Sequence, residues 1–340
     1  LNELIWLKNL KGGETKALNK ELQQVLTHNP QFHLELATRY SEAGLYSDAC
    51  RVLERYNQDH PDDMALTSYY LGYYYSQAGH SSKAKQWFDQ GNAQQVDYAF
   101  PFRQDALKVF NKAAAYDPQD GKAHYYRGLV FAGMGETSEH MIDSAIVEFR
   151  QAVKLESDNP RAWRNLGLCL MHIQTHLSEA KTCYEKAFSL APEDSRILME
   201  LDEVNDRLDI APEKRLALLK KHMDLVESRD QLLKRVLMDL MSKTGDYKEA
   251  LHYYQTHHFY NWEARYSIHN GYMETCIALA RTADNPRQAL KYYQMACQYP
   301  ENLDVAPRKP NLRGFLYYPM AQLHEKLGNR QEAQRLLRIT

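Results

Sequence analysis

The densest set of chemically capable side chains lies in "FYNWEARYS", Phe259 to Ser267. Phe259, Trp262 and Glu263 put two aromatic faces and a carboxylate within five positions, the ingredients of a sugar-contacting or hydrolytic loop. Glycoside hydrolysis needs a second carboxyl group across the scissile bond, and nothing in the sequence pairs one with Glu263. The same residues serve a structural end, with Phe259 and Trp262 plugging apolar surface between packed helices. Glu263 would then cap the following turn or pair with an arginine. Long connections on a rigid scaffold also carry ligand contacts, so both readings stand.

Other reactive types are scattered. His172 and His176 stand four apart, a spacing that could hold a metal on one helix face, but they straddle an expected helix end. A catalytic zinc needs three protein ligands, and no third is evident. His252, His257 and His258 read as helix-end and loop residues, and "HEKLG" (His324 to Gly328) lacks the second histidine of a metalloprotease motif. Cys50, Cys169, Cys183, Cys276 and Cys297 are far apart and form no CxxC pair. That argues against a zinc site or disulfide framework and favours small core residues. Their odd number leans toward a reducing compartment, cytoplasm over periplasm, with the periplasm still open. No nucleophile, base and orienting group can be assembled, so no enzyme, metal or cofactor is expected.

"SYYLGYYYS" (Ser68 to Ser76) carries five tyrosines, which cannot share a helix face because successive residues turn by ~100°. Tyr75 is expected to join Leu71 in the core. Tyr69, Tyr70, Tyr73 and Tyr74 divide between core edge and solvent, as interface packing or as a stacking platform for a peptide or sugar.

The elements that position these groups are helices. Fifteen glycines and twelve prolines in 340 residues are few, and strand-like alternation is almost absent. Forty-two basic against forty-four acidic residues give a net charge of −2, which creates no field for nucleic acid or an anionic membrane. No apolar run approaches the ~20 residues of a membrane span. The chain starts at Leu1, so it is read as a segment of a longer protein whose leader or preceding domain has been removed.

A repeat organises the chain. "HYYRGLVF" precedes "SAIVEFRQAVKL", "AWRNLGLCL" precedes "EAKTCYEKAFSLAP", and "YYPMAQLHEKLGN" precedes "EAQRLL". Gly128, Gly167 and Ala321 fall where a first helix crosses a second, and Ala145, Ala180 and Ala333 open the facing helix. Phe149, Tyr184 and Leu337 follow four residues later to fill the space beside the crossing. Pro118, Pro192 and Pro300 end second helices. Ala37, Tyr40, Ala49, Leu53 and Pro61 mark an earlier unit, and Gly72, Tyr75, Ala84 and Phe88 the next. Ala250 with Tyr254 and Ala289 with Tyr293 place two more. This pattern resembles the tetratricopeptide repeat (TPR) and implies an all-α, right-handed TPR-type α-solenoid.

The expected layout is one superhelical domain over 1–340. Capping helices fill 1–29, two repeats 30–95, central repeats with insertions 96–205, and divergent repeats 206–340. The resemblance implies that first helices line a concave groove, where Lys122, Tyr125, Arg161, Arg164, Asn165 and Arg196 take positions that face a bound protein or peptide. Several basic side chains on one wall could fork onto carboxylates. The chaperone-tail clamp of some TPRs is not expected, because Tyr125 and Leu129 stand where it needs lysine and asparagine.

"AFPFR", "WRNLG", "RILMELDEV", "EKRLALLKKH", "SRDQLL", "FYNWE" and "YPENL" also resemble an uncharacterised bacterial family, a domain of unknown function. Its fuller members place a mutarotase-like β-sandwich before a helical repeat region. This chain departs from that pattern where "ARYSIHNGY" follows the Trp-Glu pair and "DVAPRKP" follows "PENL". The leading expectation is a non-enzymatic interaction scaffold that binds a protein or peptide through its concave groove or its convex face, or packs against the N-terminal β-sandwich that the resemblance implies. The alternative is an accessory module of a carbohydrate-recognising or carbohydrate-processing protein.

Overall fold

The computed structural model describes residues 2–26, 29–60, 65–94, 101, 103, 105–135, 139–260, 267–298, 300–303 and 314–339. The roles expected of Pro61, Trp262 and Glu263 fall outside these described residues. The fold is all-α, and among the described residues one isolated parallel bridge joins Phe259 to Leu303. The chain divides into two compact units, Leu1–Leu190 and Ala191–Thr340.

The first unit holds α1 (Asn2–Leu10), α2 (Lys16–Leu26), α3 (Pro30–Glu42), α4 (Tyr46–Asp59), α5 (Ala65–Gln77) and α6 (Ser81–Ala93). It continues through α7 (Ala106–Tyr116), α8 (Gly121–Met134), α9 (Glu139–Leu155), α10 (Pro160–Met171) and α11 (Leu177–Leu190). Within it α3–α4, α5–α6, α8–α9 and α10–α11 form helix–turn–helix pairs, while α7 packs on both α5 and α8. Ile5 and Leu22 are buried together, so α1 and α2 close that end.

The second unit runs through α12 (Ser195–Arg207), α13 (Pro212–Lys220), α14 (Met223–Glu227) and α15 (Asp230–Arg235), the last continuing by a π-turn over Val236–Met241 into α16 (Ser242–Thr244). There follow α17 (Tyr247–Thr256), α18 (Ile268–Arg281), α19 (Pro286–Ala296), α20 (Gly314–Lys326) and α21 (Arg330–Leu337). Here α18–α19 and α20–α21 are the paired helices.

Local signals set the helix starts. Asn159 accepts from the backbone of Arg161 and Ala162 at 3.1 Å, with Pro160 in the first turn where no N–H is missed. Asn29, Asp194 and Asn285 cap α3, α12 and α19 in the same manner. The hairpin turns are equally regular. Gly79 has φ +82°, a left-handed conformation natural to glycine, and His80 N donates to Tyr75 O at 2.9 Å to close the end of α5. The turn carbonyl then accepts from Ala84 N at 3.0 Å, starting α6. Gly44, Gly245 and Gly328 repeat this arrangement, each five residues before the buried Ala49, Ala250 and Ala333.

The crossings explain the small residues. A Cβ on Gly72 would lie 2.5 Å from the Phe88 ring, on Gly128 2.7 Å from Phe149, and on Gly167 3.0 Å from Tyr184. Each ring stands four residues after an alanine that is itself at most 4% exposed, so the glycine accommodates the ring while the alanine lets the helices approach. The third ring-equivalent expected from sequence was Leu337, and the structure corrects it: Leu337 is 49% exposed and Leu336 is buried in its stead. Ala333 still faces inward, and the helical turn after it carries position 336 toward α20.

The tyrosine helix also differs from expectation. Tyr69, Tyr70, Tyr74 and Tyr75 are all buried and Tyr73 alone is half-buried, because α4, α6 and α7 surround α5. Fully covering a large aromatic contributes ~1.5–3 kcal/mol apiece, so this helix anchors the unit.

In the second unit a charge network runs from the interior, at Asp202, Arg215 and Arg235, out to the surface at Asp206. Arg215, 2% exposed, forks onto both oxygens of Asp202 at 2.8 Å. Arg235 reaches Asp202 at 2.5 Å and Asp206 at 3.2 Å, and Arg215 also pairs with Asp206. Two carboxylates and two guanidiniums compensate each other among α12, α13 and α15. Burial pulls the Arg215 guanidinium down, yet Asp202 and Asp206 together hold its pKa above the usual arginine value.

Candidate binding site

Counting from the crossing glycine gives the first helices a common ruler. Three and two positions before it stand Tyr69 and Tyr70 on α5, Tyr125 and Tyr126 on α8, and Arg164 and Asn165 on α10. One position after it stand Tyr73, Leu129 and Leu168. On α5 and α8 the Tyr69, Tyr70 and Tyr126 rings of this face pack against α7. The Phe110 ring centroid lies 5.0 Å from Tyr126 in a stack, 5.7 Å from Tyr69 and 6.5 Å from Tyr70, both edge-on. On α10 the equivalent positions are partly open: Arg164 and Asn165 are half-buried and Leu168 is exposed.

Four residues expected at a groove converge there. Asn165 Nδ2 donates to the Tyr125 hydroxyl at 3.4 Å, and Arg164 Nη1 donates to Asn165 Oδ1 at 2.9 Å. Burial pushes the Tyr125 phenol up to about 12, against the opposing pull of the Arg161 and Arg164 charges and the Asn165 hydrogen bond. Tyr125 is 4% exposed, so it supports this cluster from below. Lys122 is drawn elsewhere, bridging to Glu156 at 3.3 Å and bonding the Asn92 carbonyl. Arg196 belongs to the second unit, exposed on α12 and paired with Glu200 at 3.1 Å.

A second concavity in the first unit, about 650 Å³, opens between α3, α5 and the start of α7. Tyr46, Tyr70, Tyr73 and Tyr74 form its aromatic wall, and Glu42, Arg103, Asp105 and Lys108 its polar one. Arg103 donates to Glu42 Oε1 at 2.5 Å and to Asp105 Oδ1 at 3.0 Å. Burial raises the Tyr74 phenol to about 12, its hydroxyl lying 3.3 Å from Thr38 Oγ1. Burial likewise raises Tyr70 and Tyr73, so all three stay protonated donors at neutral pH. Sequence reasoning missed Glu42, Arg103, Asp105 and Lys108, whose only signal was proximity in chain to α3 and α7.

The Phe259 loop is a packing element where it is described. Phe259 is 1% exposed, its N–H donates to Asn302 O at 2.8 Å, and Asn302 Nδ2 ties the carbonyls of Tyr254 and His257 at 2.9 and 2.7 Å. Asp230 accepts from Tyr260 N at 3.1 Å and lies 3.0 Å from His257 Nε2. The buried Lys234 donates to Tyr260 O at 3.2 Å. His172 is the exposed cap of α10, while His176 sits in the 3-10 turn Gln174–His176. Among the described residues no three His, Cys, Asp or Glu converge as a metal site would require, and no helix is long and apolar enough to cross a membrane. Cys50, Cys169, Cys183 and Cys276 are buried free thiols, and burial lifts each to about 12, out of the nucleophilic range.

Comparison with known protein families agrees with the repeat. The tetratricopeptide repeat family matches residues 142–195, from within α9 to the start of α12. Among curated proteins, Homo sapiens Protein O-mannosyl-transferase TMTC1 is 34% identical over 114 residues, 32% of this chain; the chain spans 12% of that protein's length. Among solved structures, TTC0263, a thermophilic TPR protein in Thermus thermophilus, is 15% identical with a TM-score of 0.35, covering 66% of this chain and 99% of its own. Pseudomonas aeruginosa pilF is 16% identical with a TM-score of 0.36, covering 66% of this chain and 87% of its own.

Proposed function

We propose that this chain is a non-enzymatic scaffold that holds a segment of a partner protein against the α10 face of its first unit. The supporting observation is the change along one ruler: the positions three and two before the crossing glycine are buried on α5 and α8 but half-buried on α10, where Arg161, Arg164 and Asn165 precede the exposed Leu168. Two guanidiniums one and two helical turns before an exposed leucine suit an acidic segment with an apolar anchor, since arginine forks onto carboxylates and leucine gains from being covered. Asn165, itself bonded to the buried Tyr125, orients Arg164.

The tetratricopeptide repeat match over 142–195 supports an interaction role. The experiment is affinity capture from native lysate with the wild-type chain and with Arg161→Glu/Arg164→Glu, both checked for an unchanged thermal melt. Loss of a discrete set of captured proteins in the charge-reversed chain is the expected result. An identical set in both captures would remove α10 as the binding face.

A further inference from the structure

We propose that the pocket between α3, α5 and α7 binds a neutral saccharide. This stands apart from the partner site on α10 and does not depend on it. Charge is the first consideration. Glu42 and Asp105 bring two negative charges, Arg103 and Lys108 two positive ones, so the lining selects for neither anion nor cation.

Hydrogen-bond geometry is the second. Arg103 spans Glu42 at 2.5 Å and Asp105 at 3.0 Å, which sets N–H donors directly beside carboxylate acceptors. Adjacent hydroxyls of a sugar ring each donate and accept at one atom, so a vicinal diol can take a guanidinium N–H and return an O–H to the neighbouring carboxylate. A peptide backbone separates its donors from its acceptors and satisfies only half of such a pair.

The third consideration is the aromatic wall. Tyr46 and Tyr73 are half-buried rings that offer apolar faces to the C–H side of a pyranose. Tyr70 is 6% exposed and lines the same cavity, adding a third ring to that wall. The volume of about 650 Å³ falls within the ~300–1,000 Å³ of small-molecule sites.

The test uses the full chain on a printed array of neutral, sulfated and sialylated glycans, with a proline-rich decapeptide in parallel. Titration calorimetry then follows with the best-retained neutral glycan. Tyr73→Ala and Asp105→Asn are each expected to weaken that binding by about tenfold or more, with unchanged melting. Arg161→Glu/Arg164→Glu is expected to leave it intact. Should Tyr73→Ala fail to fold, Asp105→Asn and Lys108→Gln decide the matter on the polar wall alone. The proposal is overturned if folded protein retains no neutral glycan or prefers charged ones. It is equally overturned if the decapeptide binds instead, or if the polar-wall variants bind as tightly as wild type.

Discussion

Tyr69 donates its phenolic proton between the two carboxylate oxygens of Asp120, 2.8 Å from each, across 51 residues of chain. Asp120 accepts at the same time from Ala123 N at 2.9 Å and so caps α8. Both side chains are sealed from water, which makes this one bond the polar tie between the tyrosine helix and the start of the next repeat.

Removing the hydroxyl leaves a buried carboxylate short of a donor. Tyr69→Phe is therefore expected to destabilise the chain by about 1–3 kcal/mol, read as a lower urea midpoint at unchanged slope. A midpoint equal to wild type would show that Asp120 is satisfied without Tyr69.

The crossing glycines should obey an order. Alanine gains ~1 kcal/mol of helix propensity over glycine, yet the new Cβ would sit 2.5 Å from Phe88 at position 72, 2.7 Å from Phe149 at 128 and 3.0 Å from Tyr184 at 167. Overpacking costs about 1–3 kcal/mol, so Gly72→Ala should lower the melting temperature most and Gly167→Ala least. Gly314→Ala, with nothing among the described residues within 4 Å of the added methyl, should be neutral or stabilising. Equal effects at all four positions would contradict the crossing account.

The repeat was legible because its spacing has a steric cause: Gly128, Gly167, Ala145 and Ala180 must be small wherever two helices cross. A second signal, a left-handed glycine five residues before the alanine, was equally readable at Gly44, Gly79, Gly245 and Gly328. The candidate site was less legible. Tyr70 and Tyr74 look amphipathic by helical angle, and nothing local announces that α7 will cover α5. Asp202 and Asp206, one turn apart on α12, read as a solvated face until Arg215 and Arg235 arrive from two other helices. Leu336 and Leu337 differ by one step of a short final helix, too fine a distinction for a four-residue rule.

That network gives a prediction for the second unit. Asp202→Ala leaves the buried Arg215 and Arg235 with Asp206 as their remaining carboxylate and should cost about 3–5 kcal/mol, well beyond the loss on removing the Glu332 partner of Arg335 in Glu332→Ala. Similar small losses for both in chemical denaturation would place the Asp202 cluster in solvent.

His124 supplies a pH dependence. The Glu148 carboxylate, 2.7 Å from Nδ1, raises the imidazole above its usual value of 6.5, and burial opposes that rise. A raised folded-state pKa contributes stability that is fully present below pH 6.5 and is lost as pH climbs through the folded value. The melting temperature should therefore fall from about pH 6 toward about pH 8 more in wild type than in His124→Gln. Parallel profiles would show that this pair does not titrate with folding.

The central claim, that the α10 face holds a partner segment, is tested most directly by site-specific photo-crosslinking. A photoreactive side chain replaces either Leu168 on α10 or the exposed Lys186 on α11, and adducts are resolved by mass spectrometry. Discrete partner adducts at position 168, absent at 186 and abolished by Arg161→Glu/Arg164→Glu, are predicted. Adducts at 186 alone, or at 168 regardless of the charge reversal, would contradict it.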